Sequence, residues 1–344
     1  MPDKQIAIQR ARQGERHGRP VMLAIAGDSA AGKTTLSRGL VEALGPERIT
    51  AVCVDDYHRY DRQERKSLAF TPLHPACNYV AIMEQHLQLL ALGQPVLKPV
   101  YDHRTGTLTR PELVEPAEFV VVEGLLPLHT RLARACFDAT VYLDPPEPIR
   151  RAWKLRRDTK ERGYLPEQVV ADLERREPES AAFIRPQRRH ADIVVRFGPI
   201  EQRGESAADP LSATVLLRPT IDHPDLLSIV GEPPRQAVHL KLVRDDDGRP
   251  VDALHIHAYA PRDVANRIER AVWEQLGEPG PLPSALGAIG AERSEPLALT
   301  QLLLLYQLLR AGWDRTEPRS RPAPEIPGRS VRPPDRLEAK SDGR

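Results

Sequence analysis

The sequence predicts an α/β fold with a mainly parallel, helix-flanked sheet. Short, almost uninterrupted apolar runs recur at Val21–Ala26, Phe119–Val122 and Ala139–Leu143, as suits strands buried on both faces. Segments of helical periodicity alternate with them, the pattern of crossover helices between parallel strands. Polar residues follow the strand ends, where open α/β sheets place their ligands.

The elements follow in order. Met1–Pro20 is rich in Arg and Gln and reads as a loose arm or a short helix. Strand Val21–Ala26 runs into a glycine-rich turn and a helix ending near Leu44, and Ile49–Val54 is a second buried strand. Tyr60–Ala76 is charged and irregular, as a surface loop near a site would be. Asn78 is placed to cap a helix with Val80, Met83, Leu87 and Leu90 at helical spacing, stopped by Gly93. Residues 95–109 form extended pieces around a turn at Thr105-Gly106. After the strands at 119–122 and 139–143, a basic helix is expected from Glu147 to Arg162 and another from Pro166 to Arg176, before a strand at Asp192–Val195. Beyond Gly198 the pattern changes to strands at 213–217, 237–243 and 251–259, the last two joined by the hairpin signal Asp245-Asp246-Asp247-Gly248. A helix with Val264, Ile268, Val272 and Leu276 on one stripe and a leucine-rich segment over Leu297–Leu309, a buried helix or a subunit contact, complete the ordered part. The expected division is an N-terminal arm (1–20), a core (21–198), a C-terminal α+β extension (199–313) and a disordered tail (314–344), poor in large apolar residues.

Composition narrows the partners. Lys+Arg and Asp+Glu nearly cancel at 49 and 48, a formal charge of +1, which gives no basis for nucleic acid or an anionic membrane as the main partner. No apolar run approaches the roughly 20 residues of a membrane helix, and the first residues lack a signal-peptide core. Cys53, Cys77 and Cys136 form neither a C-x-x-C pair nor a zinc spacing. A reduced, cytoplasmic protein is expected.

The chemistry starts at Gly27-Asp28-Ser29-Ala30-Ala31-Gly32-Lys33-Thr34, a G-x-x-x-x-G-K-[ST] motif between strand and helix, followed by Thr35. Such a loop closes backbone N–H groups on phosphate oxygens at a helix N-terminus. Lys33 can reach the β- and γ-phosphates of ATP and Thr34 can ligate Mg²⁺. Asp55 and Asp56 end the next strand; a carboxylate there can take the proton of an acceptor hydroxyl, with Asp55 the expected base and His58 and Arg62 facing the acceptor. Glu123 closes the strand 119–122, the place of a Mg²⁺-linked carboxylate. Residues 150–163 hold seven cationic side chains; Lys154, Arg157 and Asp158 share a helical face with Arg162 one turn on, as in a lid that brings cations to a transferring phosphoryl group. Arg175 and Arg176 extend the set, and guanidinium forks suit a second phosphate on the acceptor. His239, His255 and His257 lie on the predicted hairpin without Cys or carboxylate partners, more consistent with a wet strand face than a metal site.

Six segments, AGDSAAGKTT, VDDYHRYDRQERK, KPVYDHRTG, VVVEGLLPL, WKLRRDTKERGY and FIRPQRRHADIVV, occur in the order in which they resemble the phosphoribulokinases. These are P-loop kinases that make ribulose 1,5-bisphosphate, and their wider family includes uridine kinase. The resemblance covers Ile25 to about Val195. It implies a P-loop kinase fold, ATP and Mg²⁺, a sugar-phosphate substrate, a role in carbon fixation, and a homodimer or larger homo-oligomer. By position it implies Asp55 as base, Lys33, Lys154 and Arg157 as catalytic cations, and Arg162 on the nucleotide side. It further implies His58, Arg62, Tyr101, His103, Arg175 and Arg176 at the sugar phosphate, and Thr34 and Glu123 at the metal. Relatives regulated by thioredoxin pair a P-loop cysteine with one near the Asp-Asp-Tyr-His motif; here Ala31 replaces the first and Cys53 matches the second, so that pair cannot form. A uridine-kinase-like enzyme and a nucleotide-binding regulator without turnover are the rival readings.

Overall fold

The computed structural model describes residues 19–200, 205, 209–231 and 237–316. The expected arm before residue 19 and tail beyond 316 lie outside the described residues. Five strands pair in parallel: β1 (Val21–Gly27), β2 (Ile49–Cys53), β5 (Phe119–Gly124), β6 (Ala139–Leu143) and β7 (Ile193–Gly198), in the order β2-β5-β1-β6-β7. Their apolar runs are buried because helices cover both faces. On one side lie α1 (Lys33–Leu44) and α6 (Glu295–Thr316), whose Leu36, Leu40, Leu299 and Leu302–Leu305 pack on Leu23, Ile25, Val121 and Val141. On the other, Met83, Leu87 and Leu90 of α2 (Val80–Ala91) meet Met22, Val52, Val120 and Val122. Each such leucine contributes about 1.5–3 kcal/mol on burial, and α6 is apolar on several sides because it is enclosed between α1, the sheet and α5 (Arg262–Leu276).

The C-terminal region does not build a sheet of its own. Strands β8 (Ser212–Leu217), β9 (Val238–Arg244) and β10 (Pro250–Ile256) continue the same sheet antiparallel, in the order β7-β8-β10-β9, with β8 registered on β7 from Ile193↔Leu217 to Gly198↔Ser212. Gln301 of α6 binds the C-terminal part to the glycine-rich loop's own helix. Its buried side chain donates to the Thr35 carbonyl at 3.1 Å and accepts from Gly287 N at 2.7 Å, in space that a side chain at Gly39 would fill. Strands β3 (Val96–Asp102) and β4 (Thr107–Val114) form a separate antiparallel ribbon beside the parallel strands' C-terminal edge. No helix among the described residues is long and apolar enough to cross a membrane.

The hairpin at 245–248 is anchored by a buried ion cluster. Asp245, whose side chain is fully enclosed, pairs with Arg188 at 2.7 Å and with Arg218, and Arg188 also meets Asp144 at 3.0 Å. Burial works against the Asp245 carboxylate, yet hydrogen bonds from Arg188 and Arg218 bring its pKa down to about 2. Removing one partner of a buried pair costs about 3–5 kcal/mol, so Asp245→Ala is expected to lose stability on that scale in urea unfolding. Because the folded pKa lies below the unfolded one, the wild-type contribution is complete above about pH 5 and disappears as pH falls toward 2. A variant as stable as wild type at pH 7 would contradict this account.

Candidate active site

Parallel pairing gathers the strand-end residues on one edge. Glu123 lies opposite Ile25 on one side and Cys53 on the other, so it sits between the glycine-rich loop and Asp55. The loop needs left-handed backbone: Gly32 has φ 97° and Ala30 has φ 63°, the only non-glycine residue with positive φ among the described residues. Strain of this kind costs about 1–3 kcal/mol and is held by its surroundings. Lys33 is nearly buried and turns back into the loop, donating to the carbonyls of Gly27 at 3.0 Å and Asp28 at 2.9 Å. Ala31 packs into the core with Leu36 and Leu40. The Asp28 carboxylate accepts from Ser180 and lies 3.4 Å from Arg150, whose guanidinium also donates to the Ser29 carbonyl at 3.1 Å.

Thr34 donates its hydroxyl to Glu123 Oε1 at 2.8 Å. Burial pushes the Glu123 carboxyl up, against the opposing charge of Lys33. Two hard oxygen donors side by side fit Mg²⁺, which takes few protein ligands and keeps its waters and phosphate oxygens. No group of three or more His, Cys, Asp or Glu able to hold a metal exists among the described residues, the hairpin histidines included.

The two aspartates after β2 separate in role. Asp56 is committed to the β3–β4 ribbon, accepting from Lys98 and from Tyr101 N at 3.1 Å. Among the described residues Asp55 accepts from Leu125 N alone, at 2.7 Å, through Oδ1. Near it His58, Tyr101 and His103 form an edge-to-face cluster with ring centroids 4.9–6.3 Å apart. Burial lowers the pKa of both histidines, with Arg65 adding to the effect at His58 and Arg162 at His103.

Arginines border this pocket. Arg62 donates to the His103 carbonyl at 2.6 Å and stacks on Tyr164, and Arg65 donates to the Tyr60 carbonyl at 3.0 Å and lies over the Tyr101 ring. Among the described residues their partners are carbonyls and tyrosines, with no carboxylate.

The basic helix divides the expected cations. Helix α3 (Glu147–Lys160) ends two residues before Arg162, ahead of the left-handed Gly163, and α4 (Pro166–Glu179) runs three residues past the expected Arg176. Arg157 reaches the loop, 3.4 Å from Ser29 Oγ, and bonds Asp158. Arg162 lies 3.5 Å from Asp158. Lys154 is enclosed, with its ammonium 2.7 Å from Asp158 and 3.6 Å from Asp172; burial, then the charge of Arg176, lowers its pKa. Arg176 pairs with the same Asp172 at 2.8 Å, while Arg175 is more than half exposed and 3.3 Å from Asp172. Thus Lys33, Thr34, Glu123, Asp55, His58, Tyr101, His103, Arg62, Arg157 and Arg162 converge, whereas Lys154 and Arg175 do not present free cations to the pocket. Sequence reasoning missed Arg65, Arg150 and Ser180; Arg150 lay within the cationic run and Arg65 within the charged loop and the VDDYHRYDRQERK segment, but nothing local marked Ser180.

Asn78 does not cap α2. The residue before α2 is Tyr79, without a side-chain cap, and Asn78 instead bonds His58 Nδ1 at 2.7 Å. The cysteines are unpaired, and Cys53, on β2 beside Asp55 and Glu123, has its thiol pushed up by burial and by both carboxylates. Thiolate is the reactive form, so treatment with oxidant and then dithiothreitol is expected to leave activity unchanged. A large reversible change would overturn this.

Comparison with known proteins gives this geometry its context. The model of the phosphoribulokinase / uridine kinase family matches residues 22–202. A phosphoribulokinase of Synechocystis sp. is 42% identical over 181 residues, covering 53% of this chain and 54% of that protein. The chloroplastic phosphoribulokinase of Spinacia oleracea is 35% identical over 198 residues, covering 53% and 49%. A uridine kinase of Deinococcus deserti is 31% identical over 207 residues, covering 58% of this chain and 97% of that one. The chain therefore spans about half the length of the phosphoribulokinases that it matches. Among solved structures, phosphoribulokinase from Rhodobacter spheroides superposes with TM-score 0.53 at 17% identity, covering 75% of this chain and 99% of the other, which shows a shared fold. Since the family match takes in more than half of its residues, the chain belongs to the phosphoribulokinase/uridine kinase family.

Proposed function

We propose that the protein transfers the γ-phosphoryl group of Mg-ATP to the free primary hydroxyl of D-ribulose 5-phosphate, giving the 1,5-bisphosphate and ADP. The observation that carries this reading is the pocket beside Asp55, where Arg62 and Arg65 have carbonyl and aromatic partners but no carboxylate, and Arg162 stands close by. Guanidiniums left uncompensated next to a base suit an acceptor that carries its own phosphate. Uridine, the acceptor of the family's other branch, has none. The identity of 42% to a protein named phosphoribulokinase, against 31% to one named uridine kinase, supports the same choice.

Each group then has a task. The loop amides and Lys33 hold the triphosphate, with Lys33 exchanging its loop carbonyls for phosphate oxygens. Thr34 and Glu123 hold Mg²⁺, which neutralises charge on the transferring group when bound. Asp55 accepts the hydroxyl proton and aligns its oxygen for in-line attack. Arg157, seated on the loop, faces the transferring group, and Arg62, Arg65 and Arg162 take the acceptor phosphate. Tyr101 and His103 wall the pocket. Lys154 acts by holding Asp158, and through it the register of Arg157 and Arg162. Residues 21–198 form the catalytic unit, and 199–313 an extension that steadies α1 through Gln301; the active form is a homodimer or larger, in the cytoplasm.

The deciding assay measures ADP release with ATP alone, with ribulose 5-phosphate and with uridine. Stimulation by ribulose 5-phosphate is expected. Stimulation by uridine alone would replace this reading with a nucleoside kinase, and no turnover with either acceptor would favour a nucleotide-binding regulator.

A further inference from the structure

His58 shows which kind of hydrogen bond the acceptor pocket offers. Its Nδ1 lies 2.7 Å from Asn78 Oδ1. An Asn amide can be turned over, so the assignment depends on its other end. There Asn78 Nδ2 donates to two carbonyls, of Pro72 and His74, each at 3.0 Å. Turning the amide would set its oxygen against both carbonyl oxygens, so Oδ1 must face the imidazole. An amide oxygen only accepts, so the proton of the neutral ring sits on Nδ1 and Nε2 carries a bare lone pair.

The backbone fixes this pairing independently of the side chains. Residues 58 and 78 form a bridge in which Arg59 N donates to the Cys77 carbonyl at 2.9 Å and Tyr79 N to the Tyr57 carbonyl at 2.7 Å. The groups facing His58 are Asp55, Arg65, His103 and the edge of Tyr101. Burial and the charge of Arg65 outweigh Asp55 and Asn78 and bring its pKa down to about 4, so the ring is neutral at physiological pH. Nε2 has no hydrogen-bond partner among the described residues.

We propose that Asn78 is a positioning residue that locks His58 in the Nδ1–H tautomer, so that Nε2 accepts a hydrogen bond from a secondary hydroxyl of the sugar phosphate and does not ligate its phosphate. A bare imidazole nitrogen cannot donate to a phosphate oxygen, while it rewards a correctly placed hydroxyl. His58 thereby reads the acceptor's hydroxyl pattern, and the arginines read its charge. The substrate half of this statement rests on the proposed kinase reaction; the tautomer does not.

Nitrogen-15 NMR of the full chain labelled at histidine, with His58 assigned from the spectrum of His58→Gln, reads the tautomer directly. Expected at pH 7 is a protonated Nδ1 and a bare Nε2; a protonated Nε2 overturns the proposal whatever the substrate proves to be. In kinetics, His58→Asn leaves no group at the Nε2 position and is expected to raise KM for ribulose 5-phosphate about tenfold, a typical cost of one lost hydrogen bond. His58→Gln, whose side-chain oxygen takes that position, should recover most of the loss, with KM for ATP steady in both. Asn78→Asp gives a second test. Its carboxylate favours the imidazolium and raises the His58 pKa, turning Nε2 into a donor as pH falls. Its kcat/KM for the sugar phosphate should then drop between pH 8 and 6 while wild type shows no such limb. An Asn78→Asp profile matching wild type, or no rescue by Gln, would overturn the role of Nε2. If ribulose 5-phosphate is no substrate, the assigned hydroxyl falls with it, and the NMR result still decides the tautomer.

Discussion

Replacing Asp55 by alanine is expected to lower kcat by roughly 10²–10⁴, the range for loss of a general base, while the dissociation constant for ATP stays within about twofold. The two aspartates after β2 are not interchangeable in this respect. Asp56 is bound to Lys98 and to Tyr101 N and holds the ribbon, whereas Asp55 has a single backbone donor, Leu125 N, leaving its second oxygen for an acceptor hydroxyl. Loss of Asp56 should therefore act through stability and KM for the acceptor, and loss of Asp55 through kcat. Single-turnover phosphoryl transfer, with ATP binding measured separately, distinguishes these outcomes. An Asp55→Ala enzyme with near-normal turnover would remove Asp55 from the chemistry.

Gly124→Ala is expected to lower kcat about 100-fold without touching a substrate. A Cβ at this position would clash with the Val54 side chain and stand 2.8 Å from Asp55 Oδ1, the oxygen that the Leu125 amide holds. Real Cβ atoms do not come that close to a neighbour outside their own residue, so the carboxylate or the strand end has to move. A displacement of about 1 Å at a reacting group can cost 10²-fold. The expected signature is a fall in kcat with ATP affinity retained, because the glycine-rich loop follows a different strand. Loss of ATP binding in step with kcat would indicate collapse of the sheet edge and not a displaced base.

Much of the fold was legible because its signals are local. Val21–Ala26, Phe119–Val122 and Ala139–Leu143 are short apolar runs with polar ends, and each became a buried parallel strand with its polar residues on one edge. The glycine-rich loop was equally readable, since the motif specifies its own backbone and the helix that follows. Helix ends were less so: α4 continues past Arg176 into a wider turn at Ser180–Ile184, where Ser180 meets Asp28 across 152 residues.

What the sequence determined by itself was the phosphate cradle, the carboxylates at the strand ends and the family, because each is carried by contiguous residues in a fixed pattern. Only the tertiary structure decided how the remaining charges are used. Lys154 and Arg157 look equivalent on a helical wheel, yet one is enclosed between Asp158 and Asp172 and the other reaches Ser29. Asn78 looks like a helix cap but sets the proton of a histidine 20 residues earlier. The strands beyond Gly198 read as an α+β extension, and only their pairing shows that they continue the parallel strands' own sheet, with Gln301 hydrogen-bonded to the helix of the glycine-rich loop. In each case the outcome depends on which partner fills a buried space. A buried polar group takes whatever donor or acceptor the fold brings to it, and that choice is made by contacts between distant segments.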